Sequence, residues 1–161
     1  MSQSISLCLL CLPQLIAIRS GEKSVDGIDL VEGALPPDFI IQSAIKELEA
    51  SKEPAWYSFF LFVTDENQAV GSGGFRGQPE NGRVEVGYGV AKSFQGQGVA
   101  TRAIAQVVEF AFKVEQNCEV FAETSVTNIA SRRVVEKVGF QPIGQRDTAS
   151  DGVVDQWLLK R

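Results

Sequence analysis

The clearest pattern of hydrophobic and polar positions lies between Val84 and Val90. Valine and tyrosine alternate there with Glu85, Gly87 and Gly89. This period of two predicts a strand with one apolar face. Because the opposite face carries one carboxylate and two glycines, another molecule can approach the main chain closely on that side.

From Val99 onward the hydrophobic positions recur at helical spacing. The members of this stripe are Ala100, Ala103, Ile104, Val107, Val108 and Ala111. The spacing predicts a long amphipathic helix whose apolar side packs on the sheet. The segment Gln95–Ala100 (QGQGVA) lies between the strand and this helix, so it forms a glycine-bearing loop at the helix N-terminus.

Such a loop is suited to binding an anion. The N–H groups of a first helical turn have no intrahelical partner, and the helix dipole adds positive charge there. Gly96 and Gly98 free the backbone to curl around a phosphate or pyrophosphate. The alternative is that the two glycines only make a tight turn.

The rest of the chain predicts a regular series of further elements. They are a buried strand at Leu7–Leu12, a short helix from Pro13 to Ile18, a helix from Pro36 to Ala50, strands at Ser58–Val63, Ala69–Phe75 and Glu119–Val126, a helix from Asn128 to Gly139, and a final hairpin of Gln141–Gln145 and Val153–Leu159. Ser20–Gly33, rich in glycine and aspartate, is predicted to be a loop.

These elements, in the order β-α-α-β-β-β-α-β-α-β-β, define the expected fold class. One strand–helix–strand unit stands within a series of antiparallel hairpins. We therefore expect an α+β fold with a single mixed, mostly antiparallel sheet flanked by helices. The 161 residues, 44% of them hydrophobic, show no linker or repeat, so a single domain over residues 1–161 is expected.

Composition excludes several kinds of chemistry. The chain has no histidine, so a histidine-based triad or metal site is excluded. Cys8, Cys11 and Cys118 lack metal-binding spacing, and we predict buried free thiols in a reducing cytoplasm and no metal. The net charge of −5 without a basic run argues against nucleic acid and suits a cationic acceptor such as an amine. The apolar run Leu7–Leu12 is too short to cross a membrane.

Trp56 and Tyr57 follow the second predicted helix. As large amphipathic side chains they can line an acceptor pocket. The alternative is that they pack at the edge of the core.

Several motifs together resemble the GNAT superfamily of acetyl-CoA-dependent N-acetyltransferases, and most closely its RimJ/RimL-like branch. The motifs are Gln95-x-x-Gly98-x-Ala100 at the helix start, Asn128-x-x-Ser131, Lys137-Val138-Gly139-Phe140, and the strand Gly71–Phe75. The resemblance extends roughly from Ser58 to Leu159. Gln95 stands where the family often has arginine.

The resemblance implies where acetyl-CoA, the expected co-substrate, binds. Its pyrophosphate is expected on the backbone N–H groups of the loop, and the cofactor-binding residues there are Gln95, Gly96, Gln97, Gly98, Val99, Ala100 and Thr101. Its pantetheine arm is expected to add along Gly89 and Val90 like an extra strand. The sheet is expected to splay beyond that strand and open a slot beside Glu123–Thr127. Asn128 and Ser131 are expected to contact the arm.

The expected reaction needs a base, because a primary amine arrives protonated at neutral pH. Glu85 is the candidate general base, acting through water, and its alternative is a solvated or ion-paired strand carboxylate. Ser131 is the candidate proton donor to the departing thiolate, and its alternative is a serine that merely touches the cofactor. Asn128 binds pantetheine, caps its helix, or does both.

The leading function is transfer of the acetyl group of acetyl-CoA onto a primary amine, either a protein N-terminus or a small molecule. Nucleic acid and membrane are not expected as partners, whereas a homodimer is compatible with the resemblance. A second hypothesis is a non-catalytic acyl-CoA-binding or regulatory domain of the same fold. Gly96-x-Gly98 half-matches a dinucleotide-binding fingerprint, but the antiparallel strands before it argue against that fold.

Overall fold

A computed structural model describes residues 4–161 of the chain, which form nine strands, five α-helices and one short 3₁₀-helix, Lys92–Phe94. The strands are β1 (Ile5–Leu9), β2 (Ser24–Val25), β3 (Ile28–Leu30), β4 (Phe60–Thr64), β5 (Gln68–Phe75), β6 (Arg83–Val90), β7 (Glu119–Ser125), β8 (Gln141–Thr148) and β9 (Gly152–Leu159). The helices are α1 (Leu12–Arg19), α2 (Asp38–Glu49), α3 (Pro54–Tyr57), α4 (Val99–Val114) and α5 (Ile129–Val138).

The strands form one sheet in the order β1-β4-β5-β6-β7-β9-β8, with the pair β2–β3 attached to β5. The pairs β6–β7 and β3–β5 are parallel, and the other pairs are antiparallel. Helix α4 connects β6 to β7, which is the crossover that a parallel pair requires. The predicted α+β class with a mixed, mostly antiparallel sheet is confirmed.

The sheet opens between β6 and β7. Pairing there runs from Arg83–Glu119 to Glu85–Phe121 and stops, although β6 continues to Val90 and β7 continues to Ser125. The remaining backbone of the two strands is therefore unpaired with each other. This gap agrees with the predicted splay beside Glu123–Thr127.

Each face of the sheet carries its own core, because alternate side chains of every strand point to opposite faces. On one face α4 and α5 pack on β4 to β9 through the buried residues Phe60, Phe62, Val84, Val86, Ile104, Val107, Val120, Val135 and Trp157. On the other face α1 and α2 pack on β4 and β5 through Leu15, Ile18, Ile41, Ala44, Phe59, Leu61, Val63 and Ala69. Glu85, Gly87 and Gly89 lie on the α2 side, opposite Val84 and Val86.

The composition of Ser20–Gly33 predicts a plain loop, and this prediction is wrong. The segment contains β2 and β3, which pair with each other, and β3 also pairs with β5 through Asp29–Gln68 and Leu30–Ala69. Strands of two and three residues are too short for a periodic pattern, and their pairing depends on the edge that β5 offers. Trp56 and Tyr57, for which no element was predicted, lie in the short helix α3.

The prediction that all three cysteines are buried is wrong for two of them. Cys118 is buried, but Cys8 is half-buried in β1 and Cys11 is exposed just before α1. The reason is that β1 ends at Leu9, so Cys11 caps a surface helix instead of continuing the buried strand. The three cysteines are free.

Candidate active site

The loop between β6 and α4 holds both of its glycines in the left-handed region, with φ of +76° at Gly96 and +79° at Gly98. Residues with side chains rarely adopt this conformation. At the helix start, the N–H of Arg102 donates to the Gly98 carbonyl at 3.1 Å. The N–H groups of Val99–Thr101 precede that bond, so they are available to an anion. The loop predicted to bind a phosphate thus has backbone N–H donors that suit this anion.

Two glutamine side chains fix the shape of this loop. The Gln95 amide donates to the Val90 carbonyl at 3.0 Å, and the Gln97 amide donates to the Ser93 carbonyl at 3.2 Å. The first bond holds the loop against the end of β6. The side chain of Gln95 therefore acts on the loop backbone.

Arg102 is a basic residue of this site that the sequence pattern did not reveal. Its guanidinium donates to the Gln97 carbonyl at 3.0 Å, and Nη1 lies 3.1 Å from the position that a Cβ on Gly98 would take. The signal was its place one helical turn after Gly98, since residues four apart lie on the same side of a helix. Arg102 brings a full positive charge to the loop.

Asn128 caps α5, as predicted. Its side-chain oxygen accepts a hydrogen bond from the Ser131 backbone N–H at 3.1 Å, and the helix ends at Gly139 with φ of +114°. An asparagine at this position satisfies one of the unpaired N–H groups of the first turn. The same turn carries Ser131, so both predicted residues lie where α5 begins.

Tyr88 joins β6 to the first turn of α5. Its hydroxyl donates to the Ser131 carbonyl at 3.4 Å. Burial raises the pKa of the Tyr88 phenol above its ordinary value, so the group remains protonated at neutral pH. Neither the strand pattern nor the helix pattern predicted this contact, because it spans 43 residues of sequence.

Glu85 forms an ion pair with Arg76. Glu85 Oε2 lies 3.1 Å from Arg76 Nε, and the backbone N–H of Arg76 donates to the Glu85 carbonyl. The Glu85 side chain is 31% exposed, and that of Arg76 is 65% exposed. Burial raises the pKa of Glu85 above its usual range, and the Arg76 charge opposes that rise.

A second ion pair lies across the gap on β7. Both nitrogens Nε and Nη2 of Arg146 contact the Glu123 carboxylate, at 2.5 and 2.7 Å, and Gln156 donates to it at 3.1 Å. The hydrogen bonds from Arg146 hold the pKa of Glu123 below its usual range. Glu123 is therefore a charged, fully engaged acceptor, which sets it apart from Glu85.

A cavity of about 590 Å³ lies between α2 and the glycine-rich face of β5 and β6. Gly87, Tyr88 and Gly89 form one end of it, at the part of β6 that has no β7 partner. The cavity is of the size that proteins use for small-molecule ligands. The bare strand face predicted from the sequence is thus the wall of a real pocket.

Some predicted residues meet in this region and others do not. Gly89 lines the cavity, and Tyr57 lines it as well. Trp56 instead packs in the core, with its ring centroid 5.0 Å from that of Phe75. Glu85 is not among the lining residues, whereas its partner Arg76 is. Trp56 therefore packs in the core, whereas Tyr57 packs against the core and also lines the cavity.

The amino-acid sequence of the chain matches a known protein family. The model of the acetyltransferase (GNAT) domain matches residues 32–141. The chain belongs to the GNAT acetyltransferase family. This match includes the β6–α4 loop, Asn128 and Ser131, which are the motifs that carried the resemblance.

Curated relatives are N-acetyltransferases by name. The uncharacterized N-acetyltransferase YjdG of Bacillus subtilis (strain 168) is 31% identical over 84 residues, which cover 52% of this chain and 50% of that protein. The putative ribosomal N-acetyltransferase YdaF of the same organism is 36% identical over 73 residues, covering 45% of this chain and 38% of that protein. The alignments thus span half or less of the length of these two relatives.

Solved structures share the fold over nearly the whole chain. The ribosomal-protein-S5-alanine acetyltransferase from Vibrio fischeri superposes with a TM-score of 0.71 at 16% identity, over 97% of this chain and 92% of that one. RimL, a ribosomal L7/L12 alpha-N-protein acetyltransferase solved with coenzyme A, gives 0.71 at 17% identity, over 98% and 94%. At these identities the likeness shows the fold alone.

Residues 4–161 contain no cluster of three or more cysteine, aspartate or glutamate side chains that could hold a metal ion. No helix in this part of the chain has the length and hydrophobicity needed to span a bilayer.

Proposed function

We propose that the chain is an acetyl-CoA-dependent N-acetyltransferase that acts on a primary amine. The observation that carries this proposal is that one segment of β6 lies next to both the cavity and the gap in the sheet. Gly87, Tyr88 and Gly89 border the cavity, and they also border the gap between β6 and β7. A thioester in the gap and an amine in the cavity would therefore reach each other at this segment.

The residues of the β6–α4 loop would hold the pyrophosphate of acetyl-CoA. The N–H groups from Gln97 to Thr101 supply the donors, and the left-handed Gly96 and Gly98 let them converge. Arg102 adds a positive charge at the same place. Gln95 keeps the loop attached to β6 through the Val90 carbonyl.

The pantetheine arm would follow the open edge of β6. Its amides can pair with the backbone of Gly89 and Val90, because that edge lacks a β7 partner. Asn128 and Ser131 stand at the start of α5 and contact the other side of the arm. Asn128 keeps its role as helix cap in this arrangement.

Acetyl-CoA supplies an acyl group activated as a thioester, and side chains of the protein move the protons. Glu85 accepts the amine proton through water, since its raised pKa makes it a stronger base than an ordinary glutamate. A backbone N–H of the Tyr88–Val90 segment polarises the thioester carbonyl. Ser131 donates a proton to the departing thiolate, and the Tyr88 hydroxyl contacts the same turn by donating to the Ser131 carbonyl.

A non-catalytic acyl-CoA-binding domain is the second candidate, and one observation favours it. Glu85 is paired with Arg76 and does not line the cavity. A carboxylate engaged in this way is also what a purely structural strand residue would show. The two candidates differ in whether any amine is acetylated.

The test compares acetyl transfer by the wild type with that of Glu85→Gln, with thiol release as the readout. Loss of the general base predicts a fall in kcat of about 10²–10⁴-fold, with acetyl-CoA affinity retained. Glu119→Gln is the matched control, because Glu119 is also a β-strand carboxylate paired with an arginine, at 3.4 Å from Arg83. Absence of wild-type turnover on a broad amine panel, with CoA bound, would instead establish the binding domain.

A further inference from the structure

The walls of the cavity are mainly apolar. Helix α2 and the loop before it contribute Leu35, Phe39 and Ile40, and the sheet side contributes Phe59. Phe39 is 70% exposed although it is large and hydrophobic. An exposed phenylalanine at the rim of an apolar cavity offers a contact surface for an apolar group of the ligand.

Two charged side chains line this cavity, and they have opposite signs. Glu47 comes from α2, and Arg76 follows the end of β5. These two charges cancel within the lining, although Arg76 is also paired with Glu85 outside it. The Glu47 carboxylate on one wall can attract the ammonium form of an amine.

Arg76 extends over the strand towards the cavity. Its Nη2 lies 3.5 Å from the position that a Cβ on Gly87 would take, and Gly87 itself lines the cavity. Because glycine has no side chain there, the guanidinium has room beside the floor of the pocket. Within residues 4–161 its side chain has one ion-pair partner, Glu85, which it meets through Nε.

The remaining N–H groups of Arg76 need an acceptor when a ligand displaces water. Guanidinium carries five N–H donors, and its outer edge matches a carboxylate or carbonyl oxygen. A ligand that covers this edge without offering an oxygen loses the hydrogen bonds that water made. An oxygen on the ligand would replace the water at this edge of Arg76, whose side chain is 65% exposed.

We propose that the acceptor is a primary amine that also carries an apolar group and a carboxylate or carbonyl oxygen, with Arg76 as the residue that recognises this oxygen. This inference rests on the proposed acetyltransferase function and narrows its substrate class. The chemistry is shared by free apolar amino acids and by peptides with an apolar first residue. Polyamines and aminoglycosides lack a large apolar group and a carboxylate or carbonyl oxygen, although aminoglycosides carry hydroxyl oxygens.

The test measures kcat/KM of the wild type on a matched panel of amines. L-Phenylalanine carries the carboxylate, L-phenylalaninamide carries a carbonyl, and phenethylamine has neither. Each kcat/KM is expressed per free-base amine, because α-amino groups are less basic than the alkylamine of phenethylamine. On this basis we expect the better of the first two to exceed phenethylamine by about tenfold or more, the value of a charge-assisted hydrogen bond. A tripeptide with N-terminal phenylalanine distinguishes a peptide acceptor from a free amino acid. Spermidine and kanamycin represent polycations, which we expect to be the poorest acceptors.

Variants assign the preference to Arg76. Arg76→Gln should bring the ratio of the oxygen-bearing amine to phenethylamine close to one. The ratio cancels any effect on Glu85, because both amines use the same base. Arg76→Lys keeps the charge but loses the planar fork, so it should retain part of the preference. Arg83→Gln is the control, since Arg83 pairs with Glu119 and does not line the cavity. Thermal unfolding checks that each variant is folded.

Three results would overturn the inference. Spermidine or kanamycin could be acetylated with the highest kcat/KM, or phenethylamine could match the oxygen-bearing amines. A folded Arg76→Gln could also keep the wild-type ratio. In these cases the acetyltransferase function stands and its acceptor class is different. If the wild type binds CoA but acetylates none of the panel, both the function and the inference fail.

Discussion

At the scale of single residues, the proposed mechanism depends most on the cross-strand pair of Arg76 and Glu85. The alternating strand pattern predicted the position of Glu85. It did not predict Arg76, because the pairing depends on the register between β5 and β6, which brings Phe75 opposite Val86. Arg102 escaped prediction for a similar reason, since its contact with the loop depends on how the glycines turn.

The pair predicts a shift in the pH dependence of acetyl transfer. Glu85 must be deprotonated to act as a base, so kcat/KM falls as the pH falls through its pKa. Arg76 lowers that pKa, Glu123 raises it, and Arg146 lowers it, while burial is the largest cause of the rise. Arg76→Gln removes one of the lowering charges. The acid limb of kcat/KM should therefore move to higher pH, as measured with phenethylamine.

Arg83→Gln serves as the control for this shift, because Arg83 is paired with Glu119 at the far end of β6. Its acid limb should coincide with that of the wild type. A limb that stays in place in Arg76→Gln would show that Glu85 is not the titrating base.

At the scale of elements, hydrophobic period predicted most of the long strands and helices. The apolar stripe of α4 is the clearest case, since Ala103, Ile104 and Val107 are completely buried. Asn128 and Gly139 also predicted the two ends of α5, where they form the N-cap and the C-cap. Strands β2 and β3 were not, because such short segments depend on a neighbouring edge for their pairing.

Helix α4 gives a stability prediction. Ile104 is fully buried in the core beneath α4, so Ile104→Ala leaves a cavity and should lower the free energy of unfolding by about 2–5 kcal/mol. Ile16→Ala is the matched control on α1, where the side chain is 49% exposed. Its cost should be no more than about 1 kcal/mol, because little apolar surface is lost from the core. Urea unfolding measures both values, and equal costs would contradict the assignment of Ile104 to the core.

At the scale of the whole molecule, the proposed function places its two tasks on the two faces of the sheet. The loop at the start of α4 and the first turn of α5 form the side suited to the cofactor, and α2 covers the cavity on the other side. The three pairs between β6 and β7 hold the halves of the sheet together, and the gap beyond them connects the faces.

The sequence revealed the loop motif and the bare strand face, but not the cavity. A cavity requires a second wall, and that wall is α2, whose place over the sheet follows from packing of residues such as Ile41 and Ala44 against Phe59. Such contacts join segments that no local pattern connects. This is also why the sequence predicted a carboxylate near the site without its arginine partner.

The most direct test of the cofactor site is thermal unfolding of the protein with acetyl-CoA, CoA or NAD. At a hundredfold excess over its Kd, a ligand stabilises the folded state by about 2.7 kcal/mol. We expect acetyl-CoA and CoA to raise Tm by several degrees and NAD to leave it unchanged. Gly98→Ala should reduce the rise, because φ of +79° strains an alanine and its Cβ would lie 3.1 Å from Arg102 Nη1. No rise with either CoA species, or a rise with NAD instead, would contradict the proposed function.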